Sequence, residues 1–281
     1  GEPATVTNRE EVTPTAAQPG VHREVPLVIF TLLTQAAAGM MTATFLLGLL
    51  LKSWQAIKED LLAPASLSLL ATLLGILVAF LHLGSPRNAW RMPLHLKKSW
   101  LSRELLMVSL FSILNLFLVA LLLYPGTSGF SWAAVAGVTC LLGLILVWFE
   151  HSVYRLHSVA VWDSWRTLGE FYATTLTLGS LTTGLLVPLD LLAGIFPWLA
   201  IPAVVGMLVS FALQRTNKKP GDKWANDWHA WLLLSSMLIL IQVVLLPGIP
   251  LRPGLLLIFI PALAGETIGR MEFYSRRKPN I

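Results

Sequence analysis

Eight times along this chain of 281 residues, a stretch of eighteen or more mostly apolar residues is bounded by polar or proline-containing ones. A run of that length crosses hydrocarbon only as a helix, because every backbone N–H and C=O must find its partner inside the segment. The runs cover about residues 25–51, 65–83, 104–124, 131–150, 169–187, 191–213, 228–246 and 251–269. They predict an all-α polytopic membrane protein with eight transmembrane helices and both termini on one side. The composition agrees: 55% of residues are apolar and 12% charged, about half the charged share of a soluble domain. Pro197 and Pro202 predict a kink in the sixth span. The first and fifth spans are unusually polar, and each carries threonines along one face and closes on Gly39 or Gly184. That echo points to two four-helix halves.

The flanking segments are different in kind. Residues 1–24 are polar and aperiodic and lack the cationic start and short apolar core of a secretory signal. Gly1 followed by Thr5 fits an acylation pattern, yet a lipid chain adds little to eight spans. The segment is expected to be an extended arm that orders on a partner. Residues 25–274 form the membrane anchor domain, and 275–281 a basic tail.

Charge fixes an expected orientation. Seventeen of the twenty Lys and Arg residues fall on the side that holds the termini; only Lys52, Lys58 and Arg252 fall opposite. Short loops obey the positive-inside rule, so the termini are expected in the cytoplasm of a bacterial inner membrane. The basic loops also suit lipid headgroups or an acidic partner, and the net charge of +5 needs no nucleic acid to explain it.

Ionisable groups gather on that same side. All six histidines lie there or at its boundary, with Glu104, Glu150, Glu170, Glu266 and Arg270 at span ends. No ionisable residue is expected at the midplane, where Gln35 and Gln242 are the strongly polar residues. A single cysteine, Cys140, excludes an intrachain disulfide and an iron–sulfur cluster held by this chain alone. No HExxH, CxxC or GxSxG spacing occurs, so zinc chemistry and nucleophilic catalysis have no support. Haem b needs paired imidazoles within the hydrocarbon, and no histidine is near a span's middle, so no haem is expected.

Quinone chemistry fits better. A quinol gives up two electrons and two protons, and its site needs a group near each ring oxygen that can exchange a proton. Histidine titrates near neutrality, and a partly desolvated carboxyl is pushed toward it. His82 and Glu104 meet that need, within the polar stretch His82-Leu-Gly-Ser-Pro-Arg-Asn-Ala-Trp-Arg91 and its continuation Ser99-Trp-Leu-Ser-Arg-Glu104. Plainer readings remain open: Glu104 in a first turn after Ser102, His82 capping a helix end, and Glu266 paired with Arg270 four residues on. Ser85, Arg87 and Arg103 join His82 and Glu104 as quinone-site candidates, and Arg91, Trp100, Glu266 and Arg270 as candidates for partner docking or a proton path. Trp100 and its neighbours also suit an interfacial aromatic belt.

Five segments carry a resemblance. His82-Leu-Gly-Ser-Pro with Ser99-Trp-Leu-Ser-Arg-Glu104 closely resembles the membrane anchors of the dimethyl sulfoxide reductase family. So do Val25-Pro-Leu-Val-Ile-Phe-Thr, Trp162-x-x-Trp165-x-Thr-x-x-x-Phe171 and Gly265-Glu-x-x-Gly-Arg270-x-x-Phe-Tyr274. The resemblance implies an eight-helix anchor without haem. It exchanges electrons between menaquinone or ubiquinone and a four-cluster iron–sulfur subunit, which serves a molybdopterin catalytic subunit. It also assigns quinol oxidation to His82 and Glu104, leaves Arg103 at a variable position, and lets Arg87 and Arg91 hold the iron–sulfur partner or a quinone oxygen. Dimethyl sulfoxide reductase anchors carry their partners outside the cytoplasm on the face of the HLGSP loop, whereas here that face is the positive one. Membrane-bound sulfite-oxidising complexes resemble the same family and face inward, so the expectation leans to sulfite oxidation with quinone reduction. An exported reductase oxidising menaquinol is the alternative, and a transporter is the rival from another class.

Overall fold

The computed structural model describes residues 25–51, 54–82, 96–97, 99–155, 164–216, 227–246 and 250–275. Ser85, Arg87, Arg91, the arm 1–24 and nearly all of the basic tail lie outside the described residues, as does the side chain of His82. Eight helices follow one another: α1 Val25–Leu51, α2 Leu62–His82, α3 Trp100–Leu123, α4 Gly129–Val153, α5 Trp165–Leu186, α6 Leu189–Thr216, α7 Trp228–Leu245 and α8 Leu251–Ser275. Side-chain caps start four of them. Ser99, Ser128, Ser164 and Asp227 accept from the backbone N–H of Ser102, Ser131, Arg166 and Ala230, satisfying donors that a helix start leaves free. Pro197 and Pro202 both lie inside α6, which runs unbroken through them.

Several helices extend past the apolar runs. α3 begins at Trp100 rather than Glu104, α4 runs to Val153, and α8 continues to Ser275. A hydropathy limit stops at the first charge, while a helix with a satisfied cap or a buried polar turn carries on. Glu104, Glu150, Glu266 and Arg270 therefore lie inside helices rather than at their ends.

Neighbour relations repeat with a period of four helices. In the first half α1 packs on α2 and α4, and α3 on α2 and α4; in the second α5 packs on α6 and α8, and α7 on α6 and α8. α1 and α5 join the halves. Gly39 and Gly179 make that seam: a Cβ on Gly39 would run into the carbonyl of Thr175 and the Cα of Gly179, and one on Gly179 into the backbone of Gly39. The partner of Gly39 is thus Gly179, not Gly184.

Centrality explains the polarity of α1 and α5. Most residues of both are buried, and threonines within them return their hydroxyls to their own helix, Thr42 to the Ala38 carbonyl (2.9 Å) and Thr175 to that of Phe171 (2.9 Å). A helix surrounded by protein need not be apolar all round. Seven helices are long and apolar enough to cross a membrane by length and composition, and α5 is the one left out. It is long enough but rich in threonine, and it occupies the centre.

Candidate functional site

On the side opposite the termini, the described cations serve the scaffold. The Lys58 ammonium donates to the Tyr124 carbonyl at the end of α3, and Arg252 to that of Val187 at the end of α5 (3.3 Å). Both satisfy helix C-terminal carbonyls. Asp60, in the turn before α2, is pushed up by burial and by the Asp190 and Glu59 carboxylates.

The other end holds the chemistry. Glu104 sits in the second turn of α3, one turn past its Ser99 cap, and is 4% exposed. No acidic residue lies in that helix's first turn, so Glu104 neither caps the helix nor answers its dipole. Its Oε1 is buried and has no hydrogen-bond partner among the described residues. A native protein seldom leaves a carboxyl oxygen so, since the loss of hydration goes uncompensated. The position suits a partner from outside the chain.

Around Glu104 the chain builds a wall. Trp100, one turn earlier on the same face, meets Trp148 and Phe149 of α4 with ring centroids 5.8 and 6.0 Å away. The Arg103 guanidinium lies over the Trp100 ring (4.4 Å) and donates to the carbonyls of Leu96 (2.7 Å) and Lys97 (3.0 Å). Arg103 thus ties the approach segment to α3, a structural duty that the sequence did not suggest. His82 ends α2, which packs on α3, and the turn at residues 96–97 leads back toward α3.

A polar cluster follows. Glu150, next after Phe149, is fully buried and within electrostatic range of Glu104. It accepts from the Thr34 hydroxyl and from Gln35 Nε2 (2.9 Å), both on α1. Gln35 turns its Oε1 the other way, to Arg270 of α8 (2.7 Å). Arg270 also donates to Thr174 of α5 (3.2 Å) and lies 3.9 Å above the Phe171 ring. Thr174 in turn donates to Glu266 Oε2 (2.7 Å). The expected contact of Glu266 with Arg270 therefore runs through Thr174, because Gln35 claims the guanidinium. The Ser210 hydroxyl approaches the Glu266 carboxyl without meeting hydrogen-bond geometry. Tyr274 donates to Tyr154 (2.9 Å) beside the cluster, where Phe171 and Phe273 surround Tyr154 edge to face.

Sequence reasoning placed Glu104, Glu266 and Arg270 on the right side but missed Thr34, Gln35, Glu150, Tyr154, Thr174 and Tyr274 as one assembly. Gln35 gave the available signal, a strongly polar residue about 15 Å down a membrane helix. Among the described residues no group of three or more His, Cys, Asp or Glu could hold a metal ion.

Comparison with known proteins fits this arrangement. Residues 18–219 match the family described as DMSO reductase anchor subunit (DmsC). Among curated relatives, a protein of the anaerobic dimethyl sulfoxide reductase of Escherichia coli is 30% identical over 287 residues, covering 89% of the present sequence and 94% of its own. Its namesake from Haemophilus influenzae is 29% identical over 270 residues, and a second anaerobic dimethyl sulfoxide reductase protein of Escherichia coli, YnfH, 26% over 275, each with the same 89% and 94% coverage. No solved structure matches. The family match covers most of the sequence, its eight helices and its motifs agree, and the protein belongs to the DmsC family of DMSO reductase membrane anchor subunits.

Proposed function

We propose that this anchor is the quinone-reactive subunit of its complex, passing electrons between the membrane quinone pool and an iron–sulfur subunit with four clusters, which serves a molybdopterin catalytic subunit. The observation that carries the reading is the buried Glu104 oxygen with no partner among the described residues, one helical turn inside the membrane boundary. A quinone brings a ring oxygen that exchanges protons as its ring exchanges electrons. Glu104 would hold or take the proton at one ring oxygen, and His82, at the end of α2, at the other. Ser85, Arg87 and Arg91 lie in the connection between these two helices and would orient the ring or meet the iron–sulfur partner. The wall of Trp100, Trp148 and Phe149 keeps bulk water from the carboxyl.

The 17-to-3 charge bias supports a bacterial inner-membrane protein whose working face and termini are cytoplasmic. That orientation favours a sulfite dehydrogenase, with sulfite oxidised and quinone reduced. A second reading has its own support: three relatives are named as parts of anaerobic dimethyl sulfoxide reductases, which favours an exported reductase drawing on menaquinol.

Purification from native membranes in mild detergent, with mass spectrometry of the accompanying proteins, tests the reading. Expected partners are a ferredoxin-like iron–sulfur subunit and a molybdopterin subunit without an export signal. A twin-arginine leader on the catalytic subunit would reverse the orientation and select the second reading. A protein that purifies alone and drives solute flux in vesicles would be a transporter.

A further inference from the structure

We infer that Glu150 is the proton-exchange partner of Glu104, held in place by Gln35 and Arg270, so that protons reach the quinone site along α4. The inference rests on the quinone reading above and adds to it the residue that refills Glu104.

Three observations lead there. First, the two carboxyls are neighbours in one dry compartment. Trp100 and Glu104 share a face of α3, Trp148 and Phe149 immediately precede Glu150 on α4, and these rings are in contact. Both acids are almost wholly buried and within electrostatic range of each other.

Second, the cluster's charge demands sharing. Glu104, Glu150 and Glu266 stand against the single guanidinium of Arg270. Excess charge away from water is costly, so protons reside among these carboxyls. Passing one from Glu150 to Glu104 leaves the net charge of the cluster unchanged. Glu104 carboxylate and Glu150 carboxylic acid become Glu104 carboxylic acid and Glu150 carboxylate, only O–H bonds change, and the electrons for quinone come from the iron–sulfur partner.

Third, the bonds from Glu150 toward α8 do not conduct protons. They pass through the Gln35 amide and the Arg270 guanidinium, and a guanidinium keeps its protons in proteins. That arm supplies a countercharge. Glu150 lies one turn from the end of α4, which leaves the aqueous side within reach. The titratable groups around it are Glu104 from α3, Tyr172 from α5, Arg270 and Tyr274 from α8, and His151 and Tyr154 on its own segment; α1 offers only Thr34 and Gln35.

The test uses the complete complex in native membranes, with Glu150→Gln, Glu104→Gln, the double variant, and Gln35→Leu. Glu150→Gln is expected to slow quinone turnover at least about tenfold and to remove a limb of its pH profile. The double variant should be no slower than Glu104→Gln alone, because the residues act in series. Glu150→Asp should recover part of the rate, and Gln35→Leu should move the pH profile. Infrared difference spectra of the purified complex between mildly acid and alkaline buffer should lose a buried carboxyl band in Glu150→Gln. Should Glu150→Gln not assemble, Thr34→Val removes one donor to Glu150 and leaves the acid; an unchanged pH profile there overturns the inference. So does a Glu150→Gln complex with normal turnover beside a slow Glu104→Gln. Normal turnover in Glu104→Gln removes the quinone reading itself, and this inference with it.

Discussion

The two halves of the molecule share a plan and differ in chemistry. α1–α4 and α5–α8 repeat the same neighbour relations, and the third helix of each starts with a capped tryptophan, Ser99 before Trp100 and Asp227 before Trp228. The fourth helix of each carries a charged residue four places before a tyrosine, Glu150 before Tyr154 and Arg270 before Tyr274, and the two tyrosine hydroxyls meet. At the fifth residue of the third helix the first half has Glu104 and the second Leu232. Where the first half has Glu150 the second has Arg270, and Gln35 lies between them. The repeated scaffold thus supplies stability to both halves, while the free carboxyl belongs to one. The second half contributes a countercharge.

The sharpest way to break this comparison is to exchange the two fifth positions. Glu104→Gln is expected to lower quinone turnover on the order of a hundredfold in an assembled complex, and Leu232→Ala to leave it within about twofold. Equal effects in steady-state quinone assays would mean that the halves are not specialised. Next is the seam. Gly39→Ala and Gly179→Ala should each cost about 1–3 kcal/mol, read as lower thermal stability in detergent, and together less than the sum, because both push apart the same backbones. Additive losses would show that the contact is not shared.

Smaller effects follow. Tyr274→Phe removes the one hydrogen bond that pairs the equivalent tyrosines and should cost about 1 kcal/mol of thermal stability. No change would show that the ring contacts alone hold the pair. The smallest concerns the opposite face. Burial and neighbouring carboxylates raise the folded pKa of Asp60, so the folded state prefers its protonated form and loses stability as pH rises through that pKa. Asp60→Asn should therefore stabilise slightly at neutral pH, by under about 0.5 kcal/mol after solvent screening, and not at all in acid below the ordinary Asp range. A gain that persists in acid would have another cause.

Much of this was legible in the sequence. Hydropathy alone found eight spans, and counting charges put the titratable groups on one side. The helix limits were less legible, because an interfacial turn such as Trp100–Arg103 reads as loop until its cap is recognised. For that reason Glu104 read as a first-turn carboxylate and Arg103 as a free cation. The Glu150–Gln35–Arg270 assembly could not be read at all. Its members are separated by more than a hundred residues, and only the packing of α1 against α4 and α8 brings them together. Local spacing offered Glu266 and Arg270 as a pair instead.

The touching glycines of α1 and α5 also bear on what this protein can do as a machine. Carriers that alternate between two open states rock one bundle of helices over another, and their seam must slide. Here the seam is main chain on main chain, with Gly39 and Gly179 leaving no side chain to slip or reorient between them. Such a hinge is locked at its axis. Whatever moves through this protein, then, is small enough to travel without the walls moving: electrons from partner to ring, and single protons between fixed acids.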